Sequence, residues 1–219
     1  FYPIRHAFAE GKEVREIAQV LSKDYLYTNP DILMTLLGGH DDGRFMSEKN
    51  ASIAGLKLAN TFLMTTRGTP QLYYGDEIAM TGPDEPTTRQ DFPGGFPNDK
   101  RNAFTRQGRT PAEQEIFEHT RKMARLHAEL EPLRRGALVN LHVAAQQYSY
   151  ARVSERSSVV VVINNDAKPA TVEFDVAAAR LADGARLTDR LDVSPDVRVA
   201  NGKLKISLPA RSASVLTIR

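Results

Sequence analysis

The stretch Ile32-Leu33-Met34-Thr35-Leu36-Leu37-Gly38-Gly39-His40-Asp41-Asp42-Gly43-Arg44-Phe45 decides how the rest of the chain is read. Its apolar first part has strand length and is bounded by Pro30 on one side and two glycines on the other. At the carboxyl end of that strand a histidine and two carboxylates sit on a glycine-flanked turn. A buried parallel strand that ends in ionisable residues is how an α/β barrel places its chemistry, because the loops at that face carry the active site. Gly38, Gly39 and Gly43 permit a sharp turn and a close approach of a ligand to backbone.

Working outward, Phe1-Tyr2-Pro3-Ile4 reads as the tail of a strand, and the start of the chain as an interior point of a longer protein. From Lys12 to Tyr25, Val14, Ile17, Ala18, Val20, Leu21 and Tyr25 recur at helical spacing. Asn29-Pro30 closes that connection. A second helix is expected from Ser47, as N-cap, to Thr66, with Ile53, Leu56, Ala59, Phe62 and Leu63 on its buried face and Gly68 beyond its end. A strand follows over Gln71–Tyr74. This order of helix and strand is that of a parallel α/β unit. Residues 80–109 are rich in Gly, Pro, Asp and Asn and carry no period, and a loop of that length is usually functional. Thr110-Pro111-Ala112-Glu113 is a helix start, with a capping threonine, proline at the first helical position and a glutamate that completes the capping box. Ile116, Phe117, Met123, Leu126 and Leu130 continue that helix to Pro132.

After Gly136 the period of 3.6 gives way to short β segments. These are Leu138–Val143, Gln147–Val153, Val159–Asn164, Ala170–Phe174, Ala185–Thr188, Asp196–Val199, Lys203–Leu208 and Ser214–Ile218. Asn201-Gly202 is a two-residue hairpin signal. Val159–Ile163 is apolar on both faces, as a central strand would be. Short strands with frequent turn residues predict a β-sandwich. The expected organisation is α/β plus all-β: residues 1–136 as the C-terminal part of a (β/α)8 TIM barrel, and residues 137–219 as a β-sandwich domain packed against it.

Composition bounds the function. The 219 residues are 41% hydrophobic and 26% charged, ordinary for a globular protein. The net charge of +2 is interspersed, which gives no nucleic-acid and no membrane signal. No apolar stretch reaches the ~20 residues needed to span a bilayer. Without cysteine, disulfides and thiolate metal sites are excluded. Any signal peptide would lie upstream of Phe1, so periplasm and cytoplasm are both open.

The run from Leu36 to Phe45 resembles the fourth signature region of the α-amylase family of glycoside hydrolases (family 13), where a strand ends in Asn-His-Asp. Gly68-Thr69-Pro70-Gln71-Leu72-Tyr73-Tyr74-Gly75-Asp76-Glu77 resembles that family's eighth barrel strand. Arg89-Gln90-Asp91-Phe92-Pro93-Gly94-Gly95-Phe96 and Asn102-Ala103-Phe104-Thr105 resemble its neopullulanase and cyclomaltodextrinase branch. Gly39 departs from the pattern, since Asn is usual there. The resemblance implies cleavage of α-1,4-glucosidic bonds with retention, which needs a nucleophile and an acid/base carboxyl roughly 5 Å apart. In the family these follow the fourth and fifth strands, so both would precede Phe1, which would match the end of the sixth strand region. By motif match Asp41 is the transition-state-stabilising carboxylate that grips the hydroxyls of the sugar being cleaved, and His40 donates to the same sugar. The implied partners are an α-glucan oligosaccharide or cyclodextrin and the N-terminal part of the same enzyme. No cofactor is implied.

Other residues divide between site and scaffold. Arg44 is placed to orient a carboxylate or to form a surface ion pair. Arg89 and Asp91, in the long loop, are candidates to line sugar subsites. Asp76 and Glu77 are read as holding their loop by backbone hydrogen bonds, and Tyr73 and Tyr74 as core rather than sugar platforms. His6 faces a cleft or caps a turn, while His119 and His127 are expected to be solvated. Taken alone, the His40-Asp41 pair is equally a polar turn that caps a strand. A second class of function is a non-catalytic carbohydrate-binding or interaction module, which needs an exposed row of aromatics. The sandwich offers only Tyr148, Tyr150 and Phe174. A third, a small metal-dependent hydrolase on His40, Asp41 and Asp42, lacks further ligands at sensible spacing.

Overall fold

A computed structural model describes residues 1–219. The first half is helical, with one pair of short parallel strands. Helix α1 (Tyr2–Phe8) replaces the strand expected at Phe1–Ile4. Pro3 sits in its first turn, where the missing N–H is unsatisfied in any helix. The helix buries Ile4, Ala7 and Phe8. Helix α2 (Arg15–Leu21) is shorter than the apolar spacing suggests. The Ser22 hydroxyl donates to the Gln19 carbonyl at 2.8 Å and competes with a further helical turn, leaving Val20 and Tyr25 exposed.

Strand β1 (Met34–Leu36) begins two residues later than its apolar run, because Asn29 caps a 3-10 turn over Pro30–Ile32. Helix α3 (Ile53–Thr65) is capped by Ser52, not Ser47, through a 3.1 Å bond from the Gly55 N–H. Ser47 instead accepts from the Gly82 N–H at 2.7 Å and fastens the long loop. Strand β2 (Thr69–Gln71) pairs in parallel with β1, Thr35 opposite Pro70. It lies two residues before the expected strand, so Tyr73 and Tyr74 belong to the turn beyond it. The unit β1–α3–β2 is therefore two parallel strands joined by a helix, and the chain ends of both strands lead into the polar loops.

Helix α4 (Pro111–Glu129) starts on the predicted capping box: Thr110 N–H donates to Glu113 Oε2 at 2.8 Å, and Glu113 N–H to Thr110 Oγ1 at 3.3 Å. A short helix α5 (Glu131–Arg135) follows. The histidines of α4 are half-buried rather than freely solvated. His119 Nε2 lies 3.0 Å from both Thr61 Oγ1 and the Lys57 carbonyl, and His127 Nδ1 lies 2.8 Å from the Met64 carbonyl. Both imidazoles are thus spent on fastening α4 to α3.

The remainder is a sandwich. Strands β3 (Ala137–Val143), β4 (Gln147–Val153), β5 (Ser158–Asn164), β7 (Arg186–Asp189), β8 (Val197–Arg198) and β10 (Ser212–Ile218) form a six-stranded sheet in the order β3-β4-β5-β10-β7-β8. Strands β6 (Ala170–Asp175) and β9 (Lys203–Leu208) pair as a second sheet. Asn201 and Gly202 both take positive φ (53° and 71°), the backbone of the tight hairpin turn that their identity announces.

Central strand β5 divides its side chains by the period of two. Val159, Val161 and Ile163 join α1–α4 in one core, while Val160 and Val162 face β6 and β9 in a second. Tyr148 and Tyr150 also point into the helical core and Phe174 into the second, so no row of exposed aromatics exists on the sandwich. Arg152 of β4, 1% exposed, locks the two halves together. Its guanidinium donates to the Gly136 carbonyl at 2.8 and 3.0 Å, to the Thr65 carbonyl at 3.1 Å and to that of Thr66.

Candidate active site

The turn 38–44 leaves β1 and is fastened from two sides. On one side Arg5 of α1 donates to the Gly43 carbonyl at 2.5 Å and pairs with Glu48. On the other, the Arg44 N–H donates to the Gly82 carbonyl at 2.8 Å. Gly43 is required here for space: a Cβ would stand 2.6 Å from the Pro83 carbonyl oxygen.

His40 and Asp41 project from this turn with side chains 62% and 72% exposed, their Nε2 and Oδ1 atoms 3.2 Å apart. The long loop comes back to meet them. Thr88 Oγ1 donates to the His40 carbonyl at 2.8 Å, and Arg89 Nη2 donates to Asp41 Oδ1 at 3.0 Å. Arg89 also pairs with Glu85. Asp41 Oδ2 takes no hydrogen bond, which leaves one carboxylate oxygen open to solvent. Thr88 and Glu85 are site residues that the sequence did not single out. The one signal for them was their place in an aperiodic loop.

Arg44 is neither a surface ion-pair partner nor open to a ligand. It is 1% exposed, its Nη1 donates to the Tyr74 carbonyl at 2.7 Å and lies 3.5 Å from Asp76 Oδ1. Its guanidinium carbon stands 4.5 and 4.8 Å from the Tyr73 and Tyr74 ring centroids. Burial pushes the Asp76 carboxyl up to about 7, against the opposing pull of Arg44. Glu77 accepts from the Gly75 N–H at 2.7 Å, the backbone-holding role expected of it. Asp91 is exposed and has no hydrogen-bond partner, two residues beyond Arg89. His6 lies 3.2 Å from a Glu16 carboxylate oxygen, at the rim of a concavity of about 250 Å³ that Asp42 also lines. The structure thus gathers His40, Asp41 and Arg89 into one cluster and sets Arg44 beneath it. His40, Asp41 and Asp42 do not assemble with any further side chain into a metal-binding group.

Two titrating groups here oppose each other. Burial, with Lys57 nearby, pushes His119 down to about 4. An unfolded histidine takes up its proton near 6.5, so the stability it contributes is complete above about 6.5 and is lost as pH falls toward 4. Asp76, raised to about 7, contributes stability that is complete below about 4 and is lost as pH rises through 7. The raw pH profile therefore mixes the two. We expect the difference in melting temperature between the native chain and His119→Gln to shrink steadily from pH 7 to pH 4.5. A constant difference across that window would show that His119 does not titrate as its burial dictates.

Comparison with known proteins shows the family. Residues 8–134 match the α-amylase catalytic domain and residues 142–217 the cyclomaltodextrinase C-terminal domain. The chain belongs to the α-amylase family of glycoside hydrolases, and its fold is the later part of that family's barrel followed by an all-β domain. Within the family it is similar to cyclomaltodextrinase from Thermoanaerobacter pseudethanolicus, 28% identical over 76% of this chain and 28% of the relative. It is likewise similar to neopullulanase 2 from Thermoactinomyces vulgaris, 31% identical over 84% of this chain and 29% of the relative. Among solved structures, an Anoxybacillus α-amylase superposes with a TM-score of 0.83 at 27% identity, over 100% of this chain and 45% of that one. The α-amylase from Geobacillus thermoleovorans, complexed with acarbose, superposes at 0.78 over 94% of this chain and 43% of its own. The chain thus spans under a third of the length of these two curated relatives.

Proposed function

We propose that this chain forms the later wall of the substrate cleft in an enzyme that hydrolyses α-1,4-glucosidic bonds with retention. Asp41 is its transition-state-stabilising residue. The observation that carries the reading is the cluster at the end of β1: an exposed carboxylate with one oxygen held by Arg89 and the other free. As the sugar ring flattens toward an oxocarbenium ion, hydroxyl contacts to the free oxygen tighten and favour the transition state over bound substrate. His40 donates to the same sugar, and Arg89 fixes the rotamer of Asp41. Asp91 lies farther along the loop, as a contact for a neighbouring sugar. Arg44 serves the site from below, holding the Asp76 loop against the turn rather than touching glucan.

The nucleophile and the acid/base carboxyl belong, in this reading, to a preceding barrel segment of the same enzyme. The substrate is a maltooligosaccharide, cyclodextrin or pullulan, consistent with relatives named cyclomaltodextrinase and neopullulanase. Steady-state kinetics on one maltooligosaccharide, using an enzyme that includes that segment, test the assignment. Asp41→Asn slows turnover and Asp42→Asn, one residue along, leaves it within a few-fold.

We further propose a domain boundary at Gly136–Ala137. The second core lies wholly beyond it, from Ala151 to Leu216. A segment of residues 137–219 is expected to unfold cooperatively, because that core does not depend on the helices. It should also bind an apolar dye, since Tyr148, Val161 and Val215 lose their cover. Residues 1–136 alone, with both edges of the β1–β2 pair open, are expected to aggregate. Non-cooperative melting of 137–219 would move the boundary.

A further inference from the structure

Two large apolar side chains of the long loop stand in solvent: Phe96 is 59% and Phe104 64% exposed. They lie close to the Asp41 cluster. Phe92 follows Arg89 by three residues, which limits the separation of their Cα atoms to about 10 Å. The Phe104 ring centroid is 4.5 Å from that of Phe92. A Cβ at Gly95 would lie 3.7 Å from Phe104 Cε2, so the backbone of the next residue, Phe96, runs beside the same ring.

The segment that carries these rings is held firmly. Ala103, fully buried, donates its N–H to the Pro93 carbonyl at 2.7 Å, and Asn102 Oδ1 accepts from the Phe104 N–H at 3.0 Å. Arg109 donates to the Ala103 carbonyl at 2.8 Å, and its guanidinium carbon stands 3.8 Å from the Phe117 ring centroid of α4. Arg101 adds a two-pronged pair to Glu113 of α4, at 2.7 and 2.8 Å. Gly94, at φ 117°, gives the two limbs room to cross, since a Cβ there would stand 2.6 Å from Asn102 Oδ1. Two exposed phenylalanines are thus presented by a segment fastened to α4, at a cost in hydration.

The surroundings select the occupant. Two rings are far smaller than the ~800 Å² per partner of a stable protein interface. Asp91, beside Phe92, is an exposed carboxylate without a hydrogen-bond partner, ready to accept from hydroxyls. A sugar offers both matches, an apolar C–H face for the rings and a rim of hydroxyl donors for the carboxylate. The exposed aromatics that a carbohydrate surface needs are missing from the sandwich and present on this loop.

We propose that Phe96 and Phe104 form a stacking platform for an α-glucan chain running on from the His40–Asp41 cluster, a subsite remote from the bond that is cleaved. It rests on the reading of that cluster as glucan-cleaving, and it makes the loop a selector of chain length. Long maltooligosaccharides reach from Asp41 to the platform and short ones do not.

Saturation-transfer NMR on the full 219-residue chain, with maltoheptaose as probe, tests the platform without catalysis. Irradiation of the aromatic protons is expected to pass magnetisation to the sugar ring protons. Phe96→Ala and Phe104→Ala should each weaken binding by about tenfold, and Phe104→Trp, which keeps a flat face, should retain it. Tyr25→Ala should change nothing. Tyr25 is 81% exposed but lies at the amino ends of β1 and β2, where its neighbour Asp24 grips Arg67. In the longer enzyme Phe104→Ala should raise KM for maltoheptaose and leave both kcat and the KM for maltotriose unchanged. Absence of transfer from the aromatic protons overturns the platform. So does native affinity in both Phe96→Ala and Phe104→Ala, or an equal loss in Tyr25→Ala. A native kcat in Asp41→Asn would instead strike the role of the cluster and leave the NMR result standing.

Discussion

Asp41→Asn is expected to lower kcat of the longer enzyme by about a hundredfold or more on a maltooligosaccharide, with KM changed far less. Asparagine keeps the shape of the side chain and its place on the turn but loses the charge. The charge-assisted bonds to sugar hydroxyls then weaken just where positive charge develops on the ring. Losing such a contact costs on the order of 3 kcal/mol in the barrier, which sets the hundredfold. The geometry argues against collapse of the site, because the turn is held by Arg5, Gly43 and Thr88 through backbone carbonyls that Asn does not disturb. His40→Ala removes a single donor and should slow the reaction by less. If Asp41→Asn stays within a few-fold of the native rate while Asp42→Asn abolishes activity, the family motif has been placed one residue off.

Arg152→Met is expected to destabilise the chain by about 2–4 kcal/mol, read as a lower denaturant midpoint with little change in slope. Methionine can fill much of the volume, so the loss comes from the carbonyls of Gly136, Thr65 and Thr66, which are left without donors. Two of these close the C-terminal end of α3, where a cation is also favoured by the helix dipole. An opposing effect exists, since burial already pushes the Arg152 guanidinium downward from its usual range and removing a buried charge relieves that cost. The orphaned carbonyls outnumber the single charge, so the net is a loss. Lysine should not rescue it, because a point charge cannot reach carbonyls on both sides. A midpoint unchanged by Arg152→Met would mean that apolar packing alone joins the halves.

What the sequence made legible was local. The capping box at Thr110 and Glu113, the Asn201-Gly202 turn and the apolar run of β5 each depend on residues a few positions apart. Strand ends were harder, because β1 and β2 are trimmed by neighbours: Asn29 caps a turn inside one apolar run, and Gly75 turns the chain beyond the other. Either Ser47 or Ser52 offers a helix cap, and the choice was settled by the Gly82 N–H, which claims Ser47 from far along the chain. The site itself is a contact between residues 48 apart in sequence, Asp41 and Arg89, so both residue types could be named but not their meeting. His119 and His127 were misplaced, and the burial of Arg44 beside the Asp76 carboxylate was hidden, for one reason. Charged and imidazole side chains are usually exposed, and only the packed neighbours reveal a Tyr74, Lys57 or Met64 carbonyl waiting for a donor.

The most direct measurement of the account is reducing-sugar release by the 219-residue chain itself. Purified chain is incubated with maltoheptaose, β-cyclodextrin and pullulan. If Asp41 stabilises a transition state, as proposed, but neither attacks the anomeric carbon nor protonates the leaving oxygen, no release above blank is expected from any of the three. Turnover that copurifies with the chain and disappears with Asp41→Asn would contradict the account, since it would require a nucleophile and an acid within these residues.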